Sequence, residues 1–161
     1  MRDLLIWSLE SARKQTFALV KDLSDEEMFL RSGAGENPPI WILGHLLLGD
    51  IYLLHLLRVR ELSADFTKLL SKYGPNSSDV NYDSKNFLVE RLTETGNLRC
   101  EAVRQMNDLN QPMPDEILSQ TQPTIGHHLQ MLIFHEGHHC GQISAWRKSQ
   151  GLSAVKGIFA S

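Results

Sequence analysis

Helix breakers are spaced so widely along this chain that the stretches between them are helix-length rather than strand-length. Pro38, the Tyr73-Gly74-Pro75-Asn76 turn signal, the Pro112/Pro114 pair and Gly151 mark the main interruptions. The first stretch runs from about Arg2 to about Lys21, with Leu5, Leu9, Ala12, Phe17 and Val20 recurring at helical spacing. Ser24 followed by Glu27 predicts a capping box opening one or two turns to Phe29. A small-residue loop, Ser32-Gly33-Ala34-Gly35-Glu36, then precedes Asn37, a predicted cap, and Pro38, suited to a first turn. The second helix is predicted to run from there to about Leu62. Ser63 to Asn81 is less regular. The third is predicted over about Asp83 to Asp108, and the fourth from near Pro123 or Thr124 to the stop at Gly151.

No segment alternates as a strand does, so the predicted fold class is all-α: a four-helix bundle, with 1–161 as a single domain. The connectors after the second and third helices exceed what an up-and-down bundle needs, and one of them is expected to cross over. Sixteen basic residues scattered among nineteen acidic ones argue against a partner bound through its phosphates, so no nucleic acid is expected. No membrane association is expected either. The amphipathic N-terminus is unlike a signal sequence, and Ile40 to Leu57, the most apolar stretch, carries His45, Asp50 and His55. Cys100 and Cys140 read as reduced thiols of a cytoplasmic protein.

Five of the seven histidines fall between Gly126 and His139. On a helix, positions i and i+4 are about 40° apart, one turn on. His135 and His139 therefore offer two imidazoles on one face, a spacing that can hold a metal ion, although a solvated face produces such pairs by chance. His138 is about 100° from His139 and is not expected in the same site. The string His135-Glu136-Gly137-His138-His139 also matches the zincin signature, in which the Glu is general base. That reading fails on its third ligand: nothing after His139 is His, Asp or Glu. If a third ligand exists it must come from upstream, and His45, within the apolar second helix, is the best candidate.

The motifs Gly44-His45-Leu46, Tyr73-Gly74 and His135-x-x-His138-His139-x-Gly141-Gln142 make the chain resemble the DinB/YfiT-like superfamily of bacterial metalloenzymes, unrelated to the DNA polymerase that shares the DinB name. Cys140 stands where the family more often has Arg. The resemblance implies a four-helix bundle in which His45, His135 and His139 bind a divalent metal, often nickel or zinc, and in which homodimers are common. Some relatives join bacillithiol or a similar small thiol to an electrophile.

The first functional expectation is therefore a metal-dependent thiol S-transferase acting on a small-molecule substrate, with a low-molecular-weight thiol as co-substrate. The alternatives are a hydrolase using metal-bound hydroxide and a stress-associated metal-binding protein without turnover. Three neutral imidazoles leave a divalent ion its full charge and an open position, which serves either reaction. His128, Met131 and Gln142 are the expected substrate-pocket residues, from their positions near the 135/139 stripe. Glu136 is expected in an exposed salt bridge, and Asp50 is expected to pair with a neighbouring helix. No anion pocket for a thiol stands out in the sequence; Arg99 and Arg104 on the third helix could serve, but nothing singles them out.

Overall fold

The computed structural model describes residues 1–33, 36–75, 77 and 81–155. Ala34 and Gly35 of the predicted loop and Asn76 of the predicted turn lie outside them. Four long helices, α1 (Arg2–Val20), α3 (Pro39–Leu56), α5 (Lys85–Gln105) and α7 (Ile125–Ser149), are accompanied by three short ones, α2 (Asp25–Phe29), α4 (Ala64–Tyr73) and α6 (Glu116–Ser119). No strand occurs among the described residues; Pro112 and Thr124 share one isolated bridge.

Local chemistry sets the ends. Ser24 and Glu27 form the predicted capping box, and Thr124 caps α7 by accepting from the His127 N–H. Pro38 occupies the N-cap of α3 without a side-chain cap, so Asn37 does not cap it. Helix α3 stops at Leu56, six residues short of the prediction. Arg58 adopts φ 56°, and Val59 N–H donates to Leu54 O while Arg58 N–H donates to His55 O, the paired bonds of a Schellman turn. Helix α5 starts two residues later than predicted, because Ser84 is its cap while Asp83 is engaged by Tyr73.

Helix α3 packs mainly on α5 and α4, α1 packs on α7 and α5, and α3 meets α7 more lightly. Directions follow from the contacts. Arg2 at the start of α1 reaches the Arg104 carbonyl at the end of α5, so these two are antiparallel. Arg147 near the end of α7 donates to the Leu19 carbonyl near the end of α1, so that pair is parallel. Leu47 lies by Phe87 and Arg91, and Leu57 by Ala102 and Gln105, so α3 and α5 are parallel neighbours. A parallel connection must travel back along the bundle, and α4 is that return: Phe66 stacks on Tyr52 and Tyr73 on the Gly44 turn. The crossover is thus the α5–α7 connector, together with the α1–α3 connector, whose helices also lie diagonally across the bundle.

Helix α3 is long and apolar enough to cross a membrane by length and composition, with mean hydropathy 1.4, but 67% of it is buried inside the protein. It is the central core helix. Apolar side chains form two clusters, one around Leu43, Leu47, Tyr73 and Ile143, the other around Leu9, Leu53, Val103 and Leu129.

Between the clusters lies a layer of charge, one residue from each long helix. Arg13 Nε donates to Glu136 Oε1 at 2.6 Å and Nη1 to Asp50 Oδ2 at 3.0 Å. Arg99 Nη1 donates to Asp50 Oδ1 at 2.6 Å and Nη2 to Glu136 Oε2 at 3.3 Å. Thr16 and Thr95 add hydroxyl donors to Glu136 and Asp50. Asp50 pairs with neighbouring helices as expected. Glu136 does not: it is 2% exposed rather than in a solvated salt bridge. Two guanidiniums from α1 and α5 cover that side of α7, and their charge is what makes burying a carboxylate tolerable.

Candidate metal centre

Helices α3 and α7 face each other along the line where His45, His135 and His139 project. One ligand atom from each of the three imidazoles can be taken so that all lie within 4.8 Å of one another. His135 Nε2 stands 3.2 Å from His45 Nε2 and 3.0 Å from His139 Nε2. Donors about 2.0–2.1 Å from one ion are separated by roughly 3 Å in tetrahedral or octahedral arrangements, so these spacings suit a shared cation.

The hydrogen-bonding state of the rings points the same way. His45 Nδ1 donates to the Tyr73 carbonyl at 2.9 Å, and a carbonyl can only accept. His139 Nδ1 donates to Gln142 Oε1 at 2.6 Å. Both rings, when neutral, therefore present bare Nε2 lone pairs, and His135 Nε2 has a single proton at most to share between them. A divalent cation satisfies all three. Burial, reinforced by neighbouring imidazoles, pushes His135 and His139 down to about 4, and burial pushes His45 down as well. All three are neutral at physiological pH, the form that ligates.

The setting of His45 explains two motifs at once. Its ring stacks on Trp41, with centroids 4.6 Å apart and planes 11° from parallel. The fully buried Tyr73 ring lies flat against Gly44, where a Cβ would come within 2.2 Å of it. Only glycine lets the end of α4 approach this closely, and that approach delivers the Tyr73 carbonyl to His45. The Tyr73 hydroxyl donates to Asp83 Oδ2 at 2.9 Å and accepts from the Asp83 N–H at 2.8 Å, which locks the turn.

The remaining predicted residues fall in different places. Gln142 is at the centre, orienting His139, and it also lines a cavity of about 300 Å³ with Ile42, Pro39 and Trp146. Met131 is half-buried against the second apolar cluster. His128 is buried two turns from His135, its Nδ1 donating to Gln122 Oε1 at 2.5 Å and its Nε2 without a partner among the described residues. His138 is exposed and edge-on to His139, and His55 lies apart near Glu61. The Glu136 carboxylate is held by Arg13, Arg99 and Thr16, so it is not placed as a zincin general base. Cys140 is buried beside Thr16, and both cysteines are free. Sequence reasoning missed Tyr73 as the partner of His45, because a carbonyl carries no signature of its own.

Truncating Gln142 to alanine removes the acceptor that fixes the His139 tautomer. It is expected to weaken metal binding by about 10–100-fold with little change in folding, as read by titration with a chromophoric competitor.

A comparison with curated proteins gave no match. Among solved structures the chain is similar to YfiT from Bacillus subtilis, described as a probable metal-dependent hydrolase with an unusual four-helix bundle topology. The two are 17% identical, with a TM-score of 0.69 over 94% of this chain and 89% of that one. This likeness establishes the same fold, and the diagonal connections give this bundle its non-standard order. The DinB superfamily model matches residues 8–143, which reach from within α1 to within α7 and include all three clustered histidines. The chain belongs to the DinB superfamily.

Proposed function

We propose that this protein is a divalent-metal-dependent hydrolase whose ligands are His45, His135 and His139. The observation that carries the reading is the convergence of three Nε2 atoms, two of them with Nδ1–H committed to carbonyl oxygens. A divalent ion bound there supplies Lewis acidity, polarising a substrate oxygen and making water acidic near neutral pH. The chain's own part is to hold the imidazoles: Tyr73 and Gln142 fix two tautomers, and Trp41 covers one face of His45. The cavity of about 300 Å³ is lined by Gln142 and not by the histidines themselves, so Gln142, bonded to His139, is what joins that space to the ligands. The structural neighbour's description as a probable metal-dependent hydrolase agrees with this reading.

Thiol transfer is the second reading, carried by the same donor set, which accepts a thiolate as readily as water. Neither arginine expected to anchor an anionic thiol is free to do so. Arg99 is consumed in the buried layer, and Arg104 pairs with Glu10 at the surface.

Metal content decides the first step, measured on protein purified without a nickel column. Wild type is expected to carry about one equivalent and His45→Ala almost none, since His45 is the one ligand that α3 supplies. Metal unaffected by the substitution would sink the centre. Ester and amide hydrolysis, abolished by chelator and restored by metal, would then support the hydrolase. Metal-dependent conjugation of a small thiol to an electrophile, without hydrolysis, would replace it with the transferase.

A further inference from the structure

The metal reading requires α3 and α7 to hold their ligands in fixed register, yet these two helices meet only lightly. Below the imidazoles, a Cβ added at Gly49 of α3 would touch only Leu132 Cδ2 of α7, at 3.6 Å. Apart from the imidazoles, the polar groups that join them below the ligands do so indirectly. Asp50 on α3 and Glu136 on α7 are both anions and cannot bond to each other. Each is gripped by the same two guanidiniums, from α1 and α5.

We infer that Arg13 and Arg99 are positioning residues for the metal centre, bridging the two ligand-bearing helices through Asp50 and Glu136. Glu136 directly follows His135 and precedes His139 by three positions, so its anchorage fixes the rotation of α7 at the ligands. Asp50 is five residues beyond His45 on α3. Arg13 spans the gap with both edges of its guanidinium. Nε and Nη2 face Glu136, Nη1 and Nη2 face Asp50, and Nη1 also donates to the Leu92 carbonyl at 2.8 Å, tying the bridge to α5. Arg99 repeats the bridge and donates to the Leu9 carbonyl of α1 at 3.1 Å. Buried ion networks seldom add net stability over an apolar core, so fixed geometry is the service that sets this one apart. The two helices without ligands thereby determine where the ligands stand.

The planar fork is what the inference requires, so the test keeps the charge and removes the fork. Arg13→Lys is titrated with Co(II), alongside wild type, with the visible ligand-field spectrum and the urea midpoint of the metal-free protein recorded for each. Arg147→Lys is the control. Arg147 is also buried on α7 and grips Asp22 with both terminal nitrogens, but it lies beyond the ligands and outside the layer. Arg13→Lys is expected to bind Co(II) about 10–100-fold more weakly, with an altered ligand-field spectrum, the scale on which residues supporting ligands act. Arg147→Lys is expected to lower the urea midpoint while leaving Co(II) affinity and spectrum as in wild type. Unchanged affinity and spectrum in folded Arg13→Lys would overturn the inference while leaving the metal centre intact. Equal losses in both variants would overturn it too, because affinity would then track stability alone. Absence of Co(II) binding by wild type would overturn the metal reading itself, and this inference with it.

Discussion

Gly44→Ala is expected to produce a protein that is less stable and binds metal poorly, from the addition of one methyl group. The new Cβ would stand 2.2–2.3 Å from three ring carbons of Tyr73, a side chain with no exposed surface and a hydroxyl bonded twice to Asp83. The ring has to move. Overpacking of this kind costs about 1–3 kcal/mol. Moving Tyr73 also withdraws the carbonyl that orients His45, and loss of such a partner weakens metal binding by roughly 10–100-fold. Denaturant unfolding of the metal-free protein and a competitive metal titration separate the two effects. Gly49→Ala, five residues on in the same helix, is the comparison. Its Cβ meets only Leu132 at ordinary contact distance, so both measurements should stay near wild type. Wild-type affinity in Gly44→Ala would show that the Tyr73 carbonyl does not govern His45.

Asp50→Asn is expected to have the largest effect on folding. It leaves two buried guanidiniums sharing one carboxylate, and breaking a buried ionic arrangement costs about 3–5 kcal/mol. Urea unfolding at neutral pH reads this as a lowered midpoint with an unchanged slope. The pH dependence has a definite sign. Burial alone would raise the Asp50 carboxyl, but Arg13 and Arg99 outweigh it and hold the group below its ordinary value. A carboxylate depressed in the folded state contributes stability that is fully present above its unfolded value of about 3.9 and is lost as pH falls toward the folded-state value. Wild type should therefore lose stability in acid more steeply than Asp50→Asn, and the gap between them should narrow. A constant gap from neutral pH into acid would show that the Asp50 charge is not what stabilises the layer.

Much of this architecture is legible in the chain because helix ends are local events. The Ser24/Glu27 box, the Thr124 cap and Gly151, at φ +72°, all act where their spacing places them. The three-histidine cluster is legible for a related reason: His135 and His139 are one turn apart, and an imidazole inside an apolar helix has few places to go. The misjudged features either carry no signal in their own side chain or depend on distant residues. Arg58 ends α3 early in a left-handed conformation that its side chain does not advertise. Glu136, viewed on its own helix, is a charge about 80° off the metal face and reads as solvated. Its burial is decided by Arg13 and Arg99, 123 and 37 residues away. The order of the helices is likewise hidden, since a long connector returns beside its parent helix in one place and crosses the bundle in another.

The separation of His45 from His135 by 90 residues has a consequence for how the chain holds together. An ion gripping both works as a clasp between distant segments, closing a loop that embraces α4, α5 and α6. Loop closure of this kind carries an entropic cost that rises with the logarithm of loop length, and the folded bundle has already met it before the ion arrives. The unfolded chain has not. Metal should accordingly seek out the finished fold, with the last helix docked, and each bound ion then draws the folding equilibrium further toward the native side.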